Sequence, residues 1–541
     1  MLKLFIIRIE VLSLEQKVSF LKRKMPVRVC FLFCVIAFAL LMMYNLLNGC
    51  STDLYYVVAT GREIVKNGFP HTSVWNIDRT GGFVVQQWLY CVIVYYLDAL
   101  PVWSYSIFAM IQVVILAYLS FIFLKMRGLS KYKIGISVCF ALFVDYIYIF
   151  IHRPETVTLI LLMGECVVLE KFRHTSKCRY LFALPVIMIL EMNFHGAMWP
   201  MHYAILAAYM VPAFYFKKAE NIAIYASWKK LLPFVICMTG SMFLNPYGAN
   251  GVAYAIRSLT VDTFRKLDIY EMNMPQLFSP SLGVLILSIF FLFFIIKYGH
   301  IDSVAANMIV GFTVLSLFTY RHVMFSYFTI LFVASLFLQV DTLISKIDFQ
   351  KDLYNYYYIP FALLTLLLTS MNVSAFSNAS GTGLIECMKR YEPGVYAITQ
   401  YLEDNDVDKH TRIFTSSSGS CLEYCGYDNI YFDTRYELYS PVFTGGIDYA
   451  SDFYKYCSSG VAYVSMFAKD DPDKSYIADD GTMQQWLDQY DFQYFIVGPD
   501  TAYLSGYLAG NPNYERVDVS NYYNGKVKSE LATDMLYKKI S

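Results

Sequence analysis

Charge is what this chain has least of. Of its 541 residues only 16% are charged, against 57% hydrophobic, and the mean hydropathy is +0.42. Roughly a quarter of a soluble globular sequence is charged, so a chain this long cannot hide so much apolar surface from water, and most of it must face lipid. A surplus of one sign is also missing. The 43 Lys and Arg balance 43 Asp and Glu, which argues against a nucleic-acid binder and its basic face. The chain has no Gly-rich phosphate loop, no internal repeat and no long low-complexity run, so nothing signals a nucleotide site. The balance of charge is uneven along the chain. From residue 372 onward there are 24 acidic and 13 basic side chains, a net of −11, which leaves +11 on residues 1–371.

Apolar runs fill that first part. They fall at about 29–47, 103–124, 134–151, 155–170, 180–196, 198–216, 231–247, 281–297, 304–319, 322–340 and 356–372. Most approach the roughly 20 residues that about 30 Å of hydrocarbon requires. The fold expected is therefore a polytopic α-helical membrane protein of about eleven spans, followed by a soluble α/β domain. A further apolar stretch, 83–99, carries Gln86, Gln87 and Asp98. Loop charge decides its place, because short cytoplasmic connections are rich in Lys and Arg. Lys22, Arg23, Lys24 and Arg28 put the amino terminus inside. The loops Lys125 to Lys133, Lys171 to Arg179, Lys217 to Lys230, Lys297 to His300 and Lys346 to Lys351 all fall inside only if 83–99 lies along the surface. The first span is longer than the 7 to 15 residues, roughly, of a cleavable signal core, so it is expected to stay as an anchor.

The organisation expected is a cytoplasmic segment 1–28, a membrane domain 29–372 with outer loops 48–102 and 248–280, and an extracytoplasmic tail 373–541. The chain would be a multi-pass protein of a bacterial plasma membrane. In the tail, Gly394 to Asn405 and Met483 to Tyr490 look helical, while Arg412 to Thr415, Ile430 to Asp433 and Phe492 to Val497 look like strands. Such alternation suggests an α/β layer. Cys387, Cys421, Cys425 and Cys457 lie there with no second CxxC-type pair, so unpaired thiols are expected rather than a zinc site.

With sidedness assigned, the polar residues beside the membrane sort onto one face. Asp53, Gln86, Gln87 and Trp88 occupy the first outer loop. His152, Arg153 and Glu155 form the next outer turn, and Asn193, His195 and His202 surround another. Asn245 to Gly248 opens a loop holding Arg257, Arg265, Asp268 and Glu271, and Arg321 and His322 make the last. One carboxylate among Arg and His groups suits sugar transfer from a lipid phosphate. The carboxylate can accept the proton of an incoming hydroxyl, and the planar fork of Arg can bind two oxygens of the departing phosphate. Asp53 is the candidate base, Arg153, Arg321 and His152 the candidates for the donor phosphate, and Gln86, Gln87, Trp88, Asn193, His195 and Glu271 for placing sugar or acceptor. Each has a plainer reading. Asp53 can cap a helix, Arg153 can snorkel to headgroups, and Glu155 suits a helix N-terminus.

These residues sit in strings that resemble multi-pass membrane proteins of the glycosyltransferase superfamily C type, especially a bacterial branch with a first-loop Asp and an extracytoplasmic α/β tail. Asp53-Leu54-Tyr55-Tyr56 with Ala59-Thr60-Gly61-Arg62, Gly68-Phe69-Pro70-His71-Thr72 and Gln87-Trp88-Leu89 carry the likeness. So do Arg153-Pro154, Asn193-Phe194-His195-Gly196, Asn245-Pro246-Tyr247-Gly248 and Glu271-Met272, and in the tail Phe432 to Leu438. The resemblance covers about 30–500. It implies an extracytoplasmic active site, a polyprenyl-phosphate sugar donor, inversion at the anomeric carbon, and Asp53 as base. The partners implied are membrane lipid and a glycan, lipid or protein acceptor, with no nucleic acid. Where the branch has His after its aromatic pair this chain has Val57, and where it has His-Glu before Trp this chain has Gln86-Gln87. No metal ligand is therefore assigned, and any divalent cation would lack those oxygen and nitrogen donors.

Two other functions stay open on the sequence. A lipid-linked glycan transporter would use the in-span acids Asp145, Glu165 and Glu191, which are costly in hydrocarbon. A catalytically silent scaffold would explain the missing Glu and His.

Overall fold

A computed structural model describes residues 27–49, 51–77, 82–145, 149, 152–211, 219–220, 228–259, 301–318, 320–337, 358–416, 418–457, 480–523 and 534–540. The chain is mostly helical with one small sheet. In chain order the helices of the first part are α1 (Val27–Leu47), α2 (Asp53–Asn67), α3 (Trp88–Asp98), α4 (Trp103–Met126), α5 (Lys131–Val144), α6 (Glu155–Thr175) and α7 (Ala183–Phe194). They continue as α8 (Trp199–Met210), α9 (Trp228–Ser241), α10 (Ala249–Ser258), α11 (Ser303–Phe318), α12 (Ser326–Phe337) and α13 (Tyr358–Asn378). Helix α1 packs on α13, α4 on α6, α7 on α9, and α11 on α12.

Ten of the eleven apolar runs coincide with described helices, and the eleventh, 281–297, lies outside the described residues. Length is where expectation and structure part. Among the described residues only α4 is long and apolar enough to cross a bilayer alone, and Leu32–Leu47, Lys133–Val144, Ser303–Ser316 and His322–Leu336 are shorter apolar helices. Polar or bent segments trim several ends: α5 stops at Val144 before Asp145, and a 3-10 turn at Tyr320–Phe325 precedes α12. The outward faces are nonetheless greasy. Ile111, Val114 and Tyr118 on α4, Ile136, Phe140 and Phe143 on α5, and Leu363, Leu364 and Leu367 on α13 are all exposed. Exposed apolar patches on this scale mark a surface meant for something other than water.

The stretch 83–99 contains the 11-residue α3, about 16 Å long at the usual rise, too short to span. It lies against α2 because Gly61 has no side chain: a Cβ there would sit 2.2 Å from the Cys91 carbonyl oxygen. The first outer loop is thus a helix hairpin. Asp98, an odd carboxylate in an apolar run, accepts hydrogen bonds from the Tyr105 hydroxyl at 2.7 Å and the Leu384 N–H at 2.9 Å. Asn372 is buried in α13, where it donates to the Leu40 and Leu368 carbonyls.

The tail carries four strands: β1 (Ile413–Phe414), β2 (Tyr494–Val497), β3 (Tyr514–Val517) and β4 (Met535–Lys539). Their sheet order is β1-β2-β4-β3, with the first pair parallel and the others antiparallel. Helices Pro393–Asp404, Gly419–Tyr424, Asp480–Tyr490 and Ala502–Gly510 accompany them. The segment Ile430 to Asp433, expected as a strand, makes only isolated bridges, from Ile430 to Ile413 and to Asn76. Part of its pairing capacity goes to the first outer loop, where Ile430 N–H donates to the Trp75 carbonyl and Ile77 N–H to the Ile430 carbonyl. Loop and tail share one core, in which Tyr55, Tyr90 and Trp75 pack with Phe432, Tyr439 and Trp486. Beneath the Trp75 ring, Arg435 pairs with Asp433 and Glu423, and Asn76 donates to Asp433 at 2.8 Å. Burial alone would push the Asp433 carboxyl up, but the Arg435 guanidinium and its hydrogen bonds hold it below the usual range, while burial keeps Glu423 above it.

Candidate active site

Asp53 stands in the first turn of α2, where a carboxylate suits the helix dipole. Arg153 stands just before Pro154, which opens α6 with its ring already set to helical φ. Their side chains meet: Arg153 Nε lies 2.7 Å from Asp53 Oδ2, with Arg153 24% and Asp53 20% exposed. The pair is held yet reachable. One helical turn on, Tyr56 shares the face of Asp53 and its hydroxyl accepts from Gln87 Nε2 at 2.8 Å. Trp88 Nε1 donates to Asn193 Oδ1 at 2.6 Å, and Asn193 Nδ2 donates to the Ile189 and Leu244 carbonyls. Asn193 is therefore tied into the frame that seats Trp88. The Gly196 N–H donates to the Gln86 carbonyl at 3.1 Å.

Beside the Trp88–Asn193 contact lies a small cleft of about 10 Å³, lined among others by Gln86, Trp88, Gly196, Asn245 and Tyr247. Residues of three of the strings quoted from the sequence, Trp88, Gly196 and Asn245 with Tyr247, line it. Phe69 meets Trp88 and Tyr247 edge-on at 5.3 and 5.8 Å, and the Tyr247 hydroxyl donates to the Pro70 carbonyl at 3.1 Å. Asn245 shapes the far wall by accepting from Tyr247 N–H and donating to the Met242 and Gly248 carbonyls. Gly251, on α10, must be glycine, because a Cβ would sit 2.3 Å from Asn245 Oδ1.

His152 lies inside the packing. It is buried against Tyr105, and burial lowers its pKa to about 4, so at neutral pH it carries no charge with which to meet a phosphate. Arg321 falls in the Tyr320–Phe325 turn, its side chain outside the described residues, and Glu271 is outside them altogether. His195 is buried, its Nδ1 2.9 Å from Thr158 Oγ1. Sequence reasoning passed over Tyr56, Phe69 and Tyr247 as site-forming residues, although each lies inside a quoted string. Among the described residues no group of three or more His, Cys, Asp or Glu side chains could hold a metal ion.

The C-terminal ends of α4 and α6 hold a second charge cluster. Arg127 lies 2.6 Å from Asp302 and 3.0 Å from Glu170, and Arg173 grips Asp302 with both terminal nitrogens at 2.8 Å. These arginines, read from the sequence as marking orientation, also clamp α4, α6 and the start of α11 together.

No family model matches the chain, and no curated protein matches it. Sixteen chains of solved structures do. One is the Archaeoglobus fulgidus oligosaccharyltransferase, crystallised with a tethered acceptor peptide containing the NVT sequon. It is similar over 86% of this chain and 69% of that chain, at 11% identity and a TM-score of 0.47.

Proposed function

We propose that the chain is an integral membrane glycosyltransferase that moves a sugar from a polyprenyl-phosphate donor to an extracytoplasmic glycan, lipid or protein acceptor. The observation that carries this reading is the Asp53–Arg153 pair, a partly exposed carboxylate and guanidinium at the starts of two helices. The exposed apolar faces of α4, α5 and α13 support a place in lipid. In the reaction, Asp53 takes the proton of the acceptor hydroxyl as its oxygen attacks the anomeric carbon. The carbon–oxygen bond to phosphate breaks with inversion, and the electron pair leaves on the phosphate. Arg153, partly exposed beside Asp53, would meet that developing charge. Arg321 would join it, while Gln86, Gln87 and Trp88 orient the sugar.

The test supplies purified full chain with polyprenyl-phosphate sugars and follows transfer by wild type and Asp53→Asn. Loss of turnover in the variant is expected, and equal turnover would remove Asp53 from the mechanism. The transporter alternative draws less support from the in-span acids than their sequence positions promised. Asp145 accepts from Ser326, Glu165 pairs with His202, and Glu191 accepts from Thr158.

A further inference from the structure

Helix α10 has two faces. Gly251 and Ala255, one turn apart, line the small cleft, while Ala249, Ala253 and Ile256 on the opposite side are exposed. The helix follows α9, on which Leu232 and Ile236, again one turn apart, are exposed, and Phe243 and Leu244 are exposed in the turn between the two helices. Exposed apolar side chains therefore follow one another along the chain from α9 onto α10. With ten residues, α10 is about 15 Å long, too short to cross a bilayer.

The tail meets α10 through Phe443, whose ring centroid lies 4.4 Å from that of Tyr254. Phe443 belongs to the one-turn helix Pro441–Thr444, inside the uncharged segment 440–447. On either side of it Val442 and Ile447 are 45% and 43% exposed. Gly445 and Gly446, both at positive φ, reverse the chain, and a Cβ on either would meet nothing within 4 Å. The tip thus stands clear of the rest of the protein. Its polar groups are met from within. Val442 N–H donates to Ser440 Oγ, Gly446 N–H to the Pro441 carbonyl, and the Thr444 hydroxyl to the Ile447 carbonyl. Backbone that satisfies itself can enter a medium poor in water, and bulky apolar side chains gain by leaving water.

We propose that the tip 440–447, seated on α10, dips Val442 and Ile447 into the surface of the bilayer. This rests on the reading above that the chain is integral to a membrane. Lipid is favoured over a protein partner because the exposed side chains continue those of α9, and because the tip has no charged group with which to select a partner. Helix α10 then lies in the plane of the bilayer surface, as short amphipathic helices do, with its cleft-lining side turned to the protein and the tail held down over it.

The experiment places an environment-sensitive fluorescent amino acid in the full chain by stop-codon suppression, in place of Ile447, and separately of Val114 on α4 and of the exposed Asp404 in the tail. Each protein is reconstituted into phosphatidylcholine vesicles brominated near the headgroup end of the acyl chains. Blue-shifted, quenched emission is expected at 447 and 114, and neither change at 404. Quenching at 114 without quenching at 447 overturns the proposal and leaves the membrane reading in place. A blue-shifted but unquenched probe at 447, the mark of a protein on the tip, overturns it too. Quenching at 447 alone removes the membrane-spanning reading and keeps the tip as a lipid contact, and quenching at neither removes both. Val442→Asp should abolish quenching at 447 and leave that at 114 unchanged. Quenching that persists at 447 in this variant overturns the claim that these side chains hold the tip in lipid.

Discussion

The two ends of α6 assemble the same chemical groups to opposite effect. At its C-terminal end, Arg127 and Arg173 share Asp302 and Glu170, these four side chains at most 13% exposed, with the more exposed His174 at the edge. At its N-terminal end Arg153 meets Asp53, each about a fifth to a quarter exposed. A buried ion cluster with all its partners present is a clamp, because removing one member strands the others in low dielectric. A partly wet pair is worth little as a clamp and keeps its charges available to a ligand. The difference sets a buried ion cluster apart from a partly exposed pair.

The comparison can be broken most sharply at Asp53. Asp53→Asn should cost transfer about 10²- to 10⁴-fold, the usual worth of a positioned base, while the melting temperature stays near wild type. A collapse of stability instead would make the Asp53–Arg153 pair another clamp. Next comes Arg435→Met, which leaves Asp433 and Glu423 buried without their cation. It should destabilise the chain by about 3–5 kcal/mol, read as a large drop in thermal midpoint. Asp302→Asn at the C-terminal end of α6 should cost stability by about 3 kcal/mol, with kcat per folded molecule unchanged. If turnover falls instead, the two ends are coupled. The smallest effect belongs to Asp534. Burial, aided by Asp500, raises its pKa to about 6. Because its folded value lies above the unfolded one, near 3.9, its contribution to stability is full below about pH 4 and lost as pH rises through 6. Asp534→Asn should therefore stabilise the tail by about 1–2 kcal/mol at pH 8 and change little at pH 4, seen as a pH-dependent gap between the two melting curves.

Much of this arrangement was legible in the residues. Apolar runs locate the helices because hydrocarbon burial repeats along a chain, and the alternation in the tail was visible for the same reason. Asp53 and Arg153 were grouped by sidedness alone, and the structure brings them into contact. What escaped notice were contacts between distant segments. Arg127 and Asp302 are 175 positions apart, and nothing local marks Asp302 as the partner of a loop arginine. Ile430 to Asp433 has strand chemistry, but a β ladder needs a neighbour, and part of its pairing goes to Trp75 and Ile77 in another region. His152 looked like a phosphate ligand because its burial cannot be read from its neighbours.

The aromatic core shared by the first outer loop and the tail has a temporal meaning. Asn76 waits for Asp433, 357 positions later, and Arg62 for the carbonyls of Glu423 and Tyr424. During synthesis the segment that bears Asp53 emerges early, with Trp75 and Tyr55 uncovered, and only the arrival of the last third of the polypeptide shields them. A chain that stops short of Arg435 therefore lacks the partners that cover its earliest loop.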